Sequence, residues 1–124
     1  IETLRNLLTH LGHELRIIDI PTEKALHLTS ISSTPTDQII LTAEGFLNAE
    51  DFGELPEGSQ VIFVPEEEVY GCNTIGLENG KVLVAKGYPT VLKTVQELGL
   101  EPIVLDMSQI READGSITCC TLFF

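Results

Sequence analysis

Leu98-Gly99-Leu100-Glu101-Pro102-Ile103-Val104-Leu105-Asp106-Met107 superposes without a gap on Leu11-Gly12-His13-Glu14-Leu15-Arg16-Ile17-Ile18-Asp19-Ile20. Leu, Gly, Glu and Asp are identical in place, and the two copies lie 87 residues apart. A weaker copy ending in Val61 to Val64 falls between them, so the repeating unit is about half that offset. Each copy reads the same way. A glycine suited to the left-handed position just past a helix is followed by an apolar run that predicts a buried strand.

Working outward from these copies, Glu2 to Leu11 predicts a helix with Leu4, Leu7, Leu8 and Leu11 on one face. Leu15 to Ile20 predicts a strand stopped by Pro21. Pro89 to Leu98 predicts a second helix, apolar at Val91, Leu92, Val95 and Leu98, and Pro102 to Met107 the strand after it. Between the copies, Ala25 to Ile31 and Gln38 to Thr42 predict a hairpin around a turn at Ser32 to Asp37. Ala49 to Leu55 predicts a short helical segment capped by Asn48, and Gln60 to Val64 a strand. Asn73 to Glu78 and Lys81 to Ala85 predict a hairpin, because Asn79-Gly80 tolerates the positive φ of a type I′ turn. Glu66 to Glu68 reads as a solvated acidic loop. The order is strand, strand, helix, strand. The predicted class is α+β, a single partial domain over 1–124. Residues 1–20 end one unit, 21–65 form a second, 66–107 a third, and 108–124 supply the first strand of a closing unit.

The last segment, Asp114-Gly115-Ser116-Ile117-Thr118-Cys119-Cys120-Thr121-Leu122-Phe123-Phe124, predicts that strand and carries two adjacent cysteines. On a strand they would face opposite ways, so Cys119 alone could enter a site at the mouth of a pocket. The reactive side chains follow the repeat. His27 comes 7 residues after Ile20, Cys72 comes 8 after Val64, and Cys119 comes 12 after Met107. If the units surround a common axis, His27 and Cys119 meet there although 92 residues separate them. The longer third connection holds Arg111, Glu112, Ala113 and Asp114, a candidate binding loop.

Composition narrows the partners. A chain of 124 residues with 43% apolar content forms one domain, and a formal net charge of −12 excludes nucleic acid and suits a small cationic substrate. No apolar run reaches the roughly 18 residues that predict a membrane span. Three cysteines without framework spacing predict reduced thiols in a cytoplasmic protein. The chain opens on Ile1, so its true start is expected elsewhere. His10 and His13 suit a helix end, and no third metal ligand accompanies them. Gly76 to Lys81 lacks the spacing of a phosphate loop.

A thiol gains nucleophilicity beside a base or cation, and a histidine can act as acid and base in turn. A carboxylate such as Asp114 can hold a cationic group. Against this set stand plainer roles: buried thiols, a core histidine and a turn aspartate in Asp-Gly. Asp114-Gly115-Ser116-Ile117-Thr118-Cys119-Cys120, with His27-Leu28-Thr29-Ser30 upstream, closely resembles the dimethylarginine dimethylaminohydrolases. Through the repeat it resembles the wider guanidino-modifying superfamily, which includes arginine deiminase. The resemblance covers the whole chain, which looks like the C-terminal half of such an enzyme. It implies a pentein fan, a partial five-bladed α/β propeller of ββαβ repeats. By the same likeness Cys119 is the nucleophile and His27 the acid and base. The Ala113 carbonyl, the Asp114 carboxylate and Ser30 lie at the substrate, and Cys72 has no role.

The implied reaction is hydrolysis of N-methylated arginine to citrulline through a covalent thiouronium, with no metal or cofactor. The family also grips its substrate from the N-terminal half, so that half is an expected partner and the chain alone is expected to be inactive or incompletely folded. Arginine deiminase or amidinotransferase chemistry on the same fold, or a non-catalytic binding protein, are the alternatives.

Overall fold

A computed structural model of the chain describes residues 1–21 and 23–122. It begins with helix α1 (Glu2–His10). Strands β1 (Ser32–Thr36), β2 (Ile39–Ala43) and β3 (Gln60–Val64) form one sheet, and β4 (Ile75–Gly76) and β5 (Lys81–Ala85) begin another. Helix α2 (Pro89–Glu97), strand β6 (Glu101–Leu105) and helix α3 (Ser108–Glu112) complete the order. Both sheets are built alike. β1 runs antiparallel to β2 and β2 parallel to β3; β4 runs antiparallel to β5 and β5 parallel to β6. The parallel pairing follows from the crossover between strands, a 3₁₀ turn over Ala49–Phe52 in one unit and α2 in the other.

The repeat is visible in the helix ends. At α1, Gly12 (φ 80°) donates to Thr9 O at 3.0 Å and His13 to Leu8 O at 2.8 Å. At α2, Gly99 (φ 76°) donates to Gln96 O at 2.9 Å and Leu100 to Val95 O at 3.2 Å. Both are Schellman motifs, in which glycine avoids the Cβ penalty of left-handed backbone. The strand after the second copy pairs with β5. The expected strand over Leu15 to Ile20 does not form: no strand among the described residues lies beside it to complete a ladder. The predicted apolar face of α1 is likewise bare, with Leu4, Leu7 and Leu11 exposed.

Other boundaries shift for identifiable reasons. The predicted turn over Ser32 to Asp37 is mostly β1, an edge strand whose register slips between Ser33 and Thr36, where Pro35 needs no ladder hydrogen bond. His27 therefore sits before the strand, in extended backbone (φ −139°) that leads into a 3₁₀ turn at Leu28–Ser30. Asn79 and Gly80 do take positive φ, 67° and 74°, but inside a longer loop after a two-residue β4. Residues 73 and 74 are buried without strand pairing.

A Cβ at Gly76 would run into the Pro35 carbonyl oxygen, so only glycine lets the two sheets approach there. Ser33 and Thr74 hydroxyls meet at 2.6 Å beside that contact. One core runs through both sheets: Leu41, Val64, Cys72, Ile75, Ala85, Val91 and Ile117 are all buried in it. Glu68 departs from the expected solvated loop. Its carboxylate is buried and accepts from Thr90 N at 3.0 and 2.9 Å and from Val91 N at 3.0 Å. Pro89 begins α2 without an N–H, and Glu68 satisfies the next two donors of that helix.

Candidate active site

The site is assembled from two turns and a loop. The expected final strand is absent: residues 108–122 hold α3, a loop and a 3₁₀ turn at Thr118–Cys120, while Phe123 and Phe124 lie outside the described residues. The β-branched run Ile117-Thr118 predicts a strand, but local bonds win. Cys119 N donates to Ser116 O and Cys120 N to Ile117 O, both at 3.1 Å. Ile117 is 3% exposed and pins this turn into the core. Both neighbouring cysteines are exposed, so strand alternation does not separate them.

What separates them is a hydroxyl. Ser116 Oγ lies 3.4 Å from Cys119 Sγ. That bond, followed by backbone hydrogen bonding with Ser116, holds the Cys119 thiol below its usual range. Cys72 is the opposite case: burial, reinforced by the Glu68 charge, pushes its thiol up to about 12. It is an inert core cysteine.

His27 is exposed at the mouth of the Leu28–Ser30 turn, and its carbonyl accepts from Ser30 N at 3.0 Å, leaving Ser30 half-buried. The hydrogen-bond partner of the Cys119 sulfur is Ser116, not the imidazole. The two turns nevertheless meet through one residue. Asn73 Nδ2 donates to Thr29 O at 2.6 Å and to Thr118 Oγ1 at 2.9 Å, and Asn73 Oδ1 accepts from Thr118 N at 3.0 Å. Asn73 was not legible as a site residue. Its one signal was its place beside Cys72, which the repeat aligns with His27 and Cys119.

The loop carrying Ala113 and Asp114 closes α3 by a third Schellman motif. Asp114 N donates to Arg111 O at 3.0 Å and Gly115 N to Ile110 O at 2.9 Å. Here the left-handed position (φ 58°) is held by Asp114, where the other two helices place glycine. Asp114 and Ala113 are exposed. Gly115 packs so closely on Ile110 that a Cβ would fall 2.7 Å from its Cγ2.

The loop is braced by Tyr70, whose hydroxyl donates to Gly115 O at 2.8 Å, and by Arg111, which donates to Tyr88 Oη at 2.6 Å. The guanidinium stacks over both rings, 4.9 Å from Tyr70 and 5.8 Å from Tyr88. Burial raises both phenols, and for Tyr70 the Tyr88, Cys119 and Cys120 charges add to it against Arg111. A cavity of about 410 Å³ opens beside this stack, with Lys86 and Asp106 also in its lining. Cys119 and His27 are not among the residues that line it. Among the described residues no group of three or more His, Cys, Asp or Glu is placed to hold a metal. Among the same residues no helix is long and apolar enough to cross a membrane.

No protein-family model matches the chain. It is 32% identical over 102 residues to the N(G),N(G)-dimethylarginine dimethylaminohydrolase of Pseudomonas aeruginosa, covering 82% of this chain and 38% of that protein. Its structure is similar to that of a cysteine-to-serine mutant of the P. aeruginosa enzyme complexed with citrulline. The TM-score is 0.75 at 28% identity, over 99% of this chain and 46% of that one. An amidinotransferase from Microseira wollei superposes with TM-score 0.76 at 23% identity, over 96% of this chain and 37% of that one, a likeness of fold. The chain thus spans about two fifths of the length of the curated relatives it matches, an extent that fits the half of an enzyme expected from its sequence.

Proposed function

Because the chain is a relative of the dimethylarginine dimethylaminohydrolases, we propose that it carries the nucleophile and acid–base half of an amidine hydrolase acting on N-methylated arginine. The Cys119 thiolate attacks the guanidinium carbon. His27, as imidazolium, gives its proton to the departing methylamine or dimethylamine as the C–N bond breaks, which leaves a covalent thiouronium. The neutral imidazole then takes a proton from water as the oxygen adds to the same carbon, and collapse releases citrulline and the thiolate. The Asp114 carboxylate and Ala113 carbonyl hold the cationic substrate, with Ser30 beside it. No metal or organic cofactor takes part.

The observation that carries this reading is the meeting of two turns at Asn73, one leading from His27 and the other into Cys119. The lowered Cys119 thiol supports it, since a thiolate near neutral pH is what attack requires. So does Asp114, a side chain kept where backbone geometry favours glycine; outliers of this kind cluster at ligand clamps. The remaining grip on the substrate is assigned to an N-terminal half of the same enzyme, in a five-bladed fan, in the cytoplasm.

The test is citrulline release from N-methylarginine, arginine and agmatine, by this chain alone and joined to such a half. The joined protein should act on methylarginine first and lose activity in Cys119→Ser and His27→Gly, while the chain alone should be inactive. Equal turnover by Cys119→Ser would refute the nucleophile. Transfer of the amidino group to an added amine in preference to water would favour the amidinotransferase reading.

A further inference from the structure

Asn73 is 1% exposed, so each hydrogen bond its amide lost would leave a buried polar group unpaired. Its three bonds run to residues 44 and 45 positions away on opposite sides of the chain. The orientation of the amide is fixed by its partners. Reversed, its NH₂ would face the Thr118 N–H and its oxygen the Thr29 carbonyl. Aspartate would lack the donors, and glutamine would be one methylene too long.

The hydrogen bonds continue beyond the amide. Thr118 Oγ1, which accepts from Asn73, lies 3.4 Å from Ser116 Oγ, and Ser116 Oγ lies 3.4 Å from Cys119 Sγ. The Thr118 hydroxyl, accepting from Asn73, can give its proton to Ser116, and Ser116 can then give its own to the sulfur. Each donor polarises the next, so the last one meets a developing thiolate already oriented.

We infer that Asn73 is a positioning residue for the thiol, anchoring the histidine-bearing and cysteine-bearing turns to one amide and orienting a two-hydroxyl relay that ends on Cys119 Sγ. The inference rests on the proposed chemistry for its purpose, but its test does not need turnover. The readout is the pH profile of Cys119 alkylation by neutral chloroacetamide, followed by peptide mass spectrometry with Cys120 as internal reference.

Asn73→Ala should move the Cys119 profile to higher pH and slow its labelling at neutral pH about fivefold, the worth of roughly one hydrogen bond, with Cys120 unchanged. Thr118→Val, which removes the relay hydroxyl at nearly constant volume and also unpairs one Asn73 N–H, should do the same, with its melting temperature recorded beside the profile. Thr118→Ser, which restores the hydroxyl, should return the parent profile. A parent-like profile in Thr118→Val overturns the relay, whether or not Asn73→Ala folds. An Asn73→Ala protein that melts like the parent and labels like it overturns the anchoring. Failure of the hydrolase reading would appear elsewhere, as absent citrulline release with these profiles intact.

Discussion

Asp114 occupies a backbone position that costs an L-residue roughly 1–2 kcal/mol, less for aspartate, whose short side chain bonds locally. At the equivalent positions of α1 and α2, Gly12 and Gly99 avoid that cost. Asp114→Gly should therefore raise stability by about 0.5–1 kcal/mol, read from the urea midpoint, while raising KM for the guanidino substrate in the joined enzyme. A destabilised Asp114→Gly would mean that the carboxylate serves the fold. Ser116→Ala should shift the Cys119 alkylation profile upward, because the side-chain hydrogen bond from Ser116 is the largest influence holding that thiol down. At this scale the sequence offered candidate residues and little about their surroundings. Cys119 and Asp114 stand in one recognisable string and His27 in a second, shorter one. Ser116, Thr118 and Asn73 matter through hydrogen bonds formed only once distant segments meet.

Elements were legible where local physics suffices. Asn48 stands at the N-cap position of its turn as expected, where its N–H donates to Asp51 Oδ2 at 2.7 Å, and β3 spans the predicted Gln60–Val64. The final strand was misread because β-branched propensity describes a fit to neighbouring strands, and Ile117-Thr118 instead lies in a turn closed by its own backbone. Glu68 was misread because an acidic run says nothing about which carboxylate reaches a helix end. Glu68→Ala should cost about 1–2 kcal/mol in denaturant unfolding, since it leaves the first two N–H donors of α2, on Thr90 and Val91, without partners. A loss under 0.3 kcal/mol would show that water replaces the cap.

Cys72 makes a pH prediction for the same region. Its folded pKa, about 12, lies above the 9.0 of a free thiol, so the fold binds its proton more tightly than the unfolded chain does. That contribution is fully present below about pH 9 and is lost as pH rises through about 12. The melting temperature should fall across that window, and less steeply in Cys72→Ala; parallel curves would contradict the assignment.

Across the whole molecule, the repeat was the most legible feature, because two copies share helix end and strand in sequence and the same capping bonds in space. What the repeat could not tell was which strands would find neighbours: β6 has β5, whereas the stretch after α1 has none among the described residues. The repeat also brings the histidine turn and the cysteine turn to a single amide, and on that convergence the proposed chemistry depends. Cys119 and Cys120 are both exposed, so access alone predicts equal reactivity. The most direct test is competitive labelling by chloroacetamidine, a cation shaped like a guanidinium, and by neutral chloroacetamide, resolved at each cysteine by mass spectrometry in the joined enzyme. The account predicts that Cys119 outruns Cys120, that the cationic reagent is preferred at Cys119 alone, and that His27→Gly and Asp114→Gly reduce that preference. Equal rates at the two cysteines, with no preference for the cation, would contradict it.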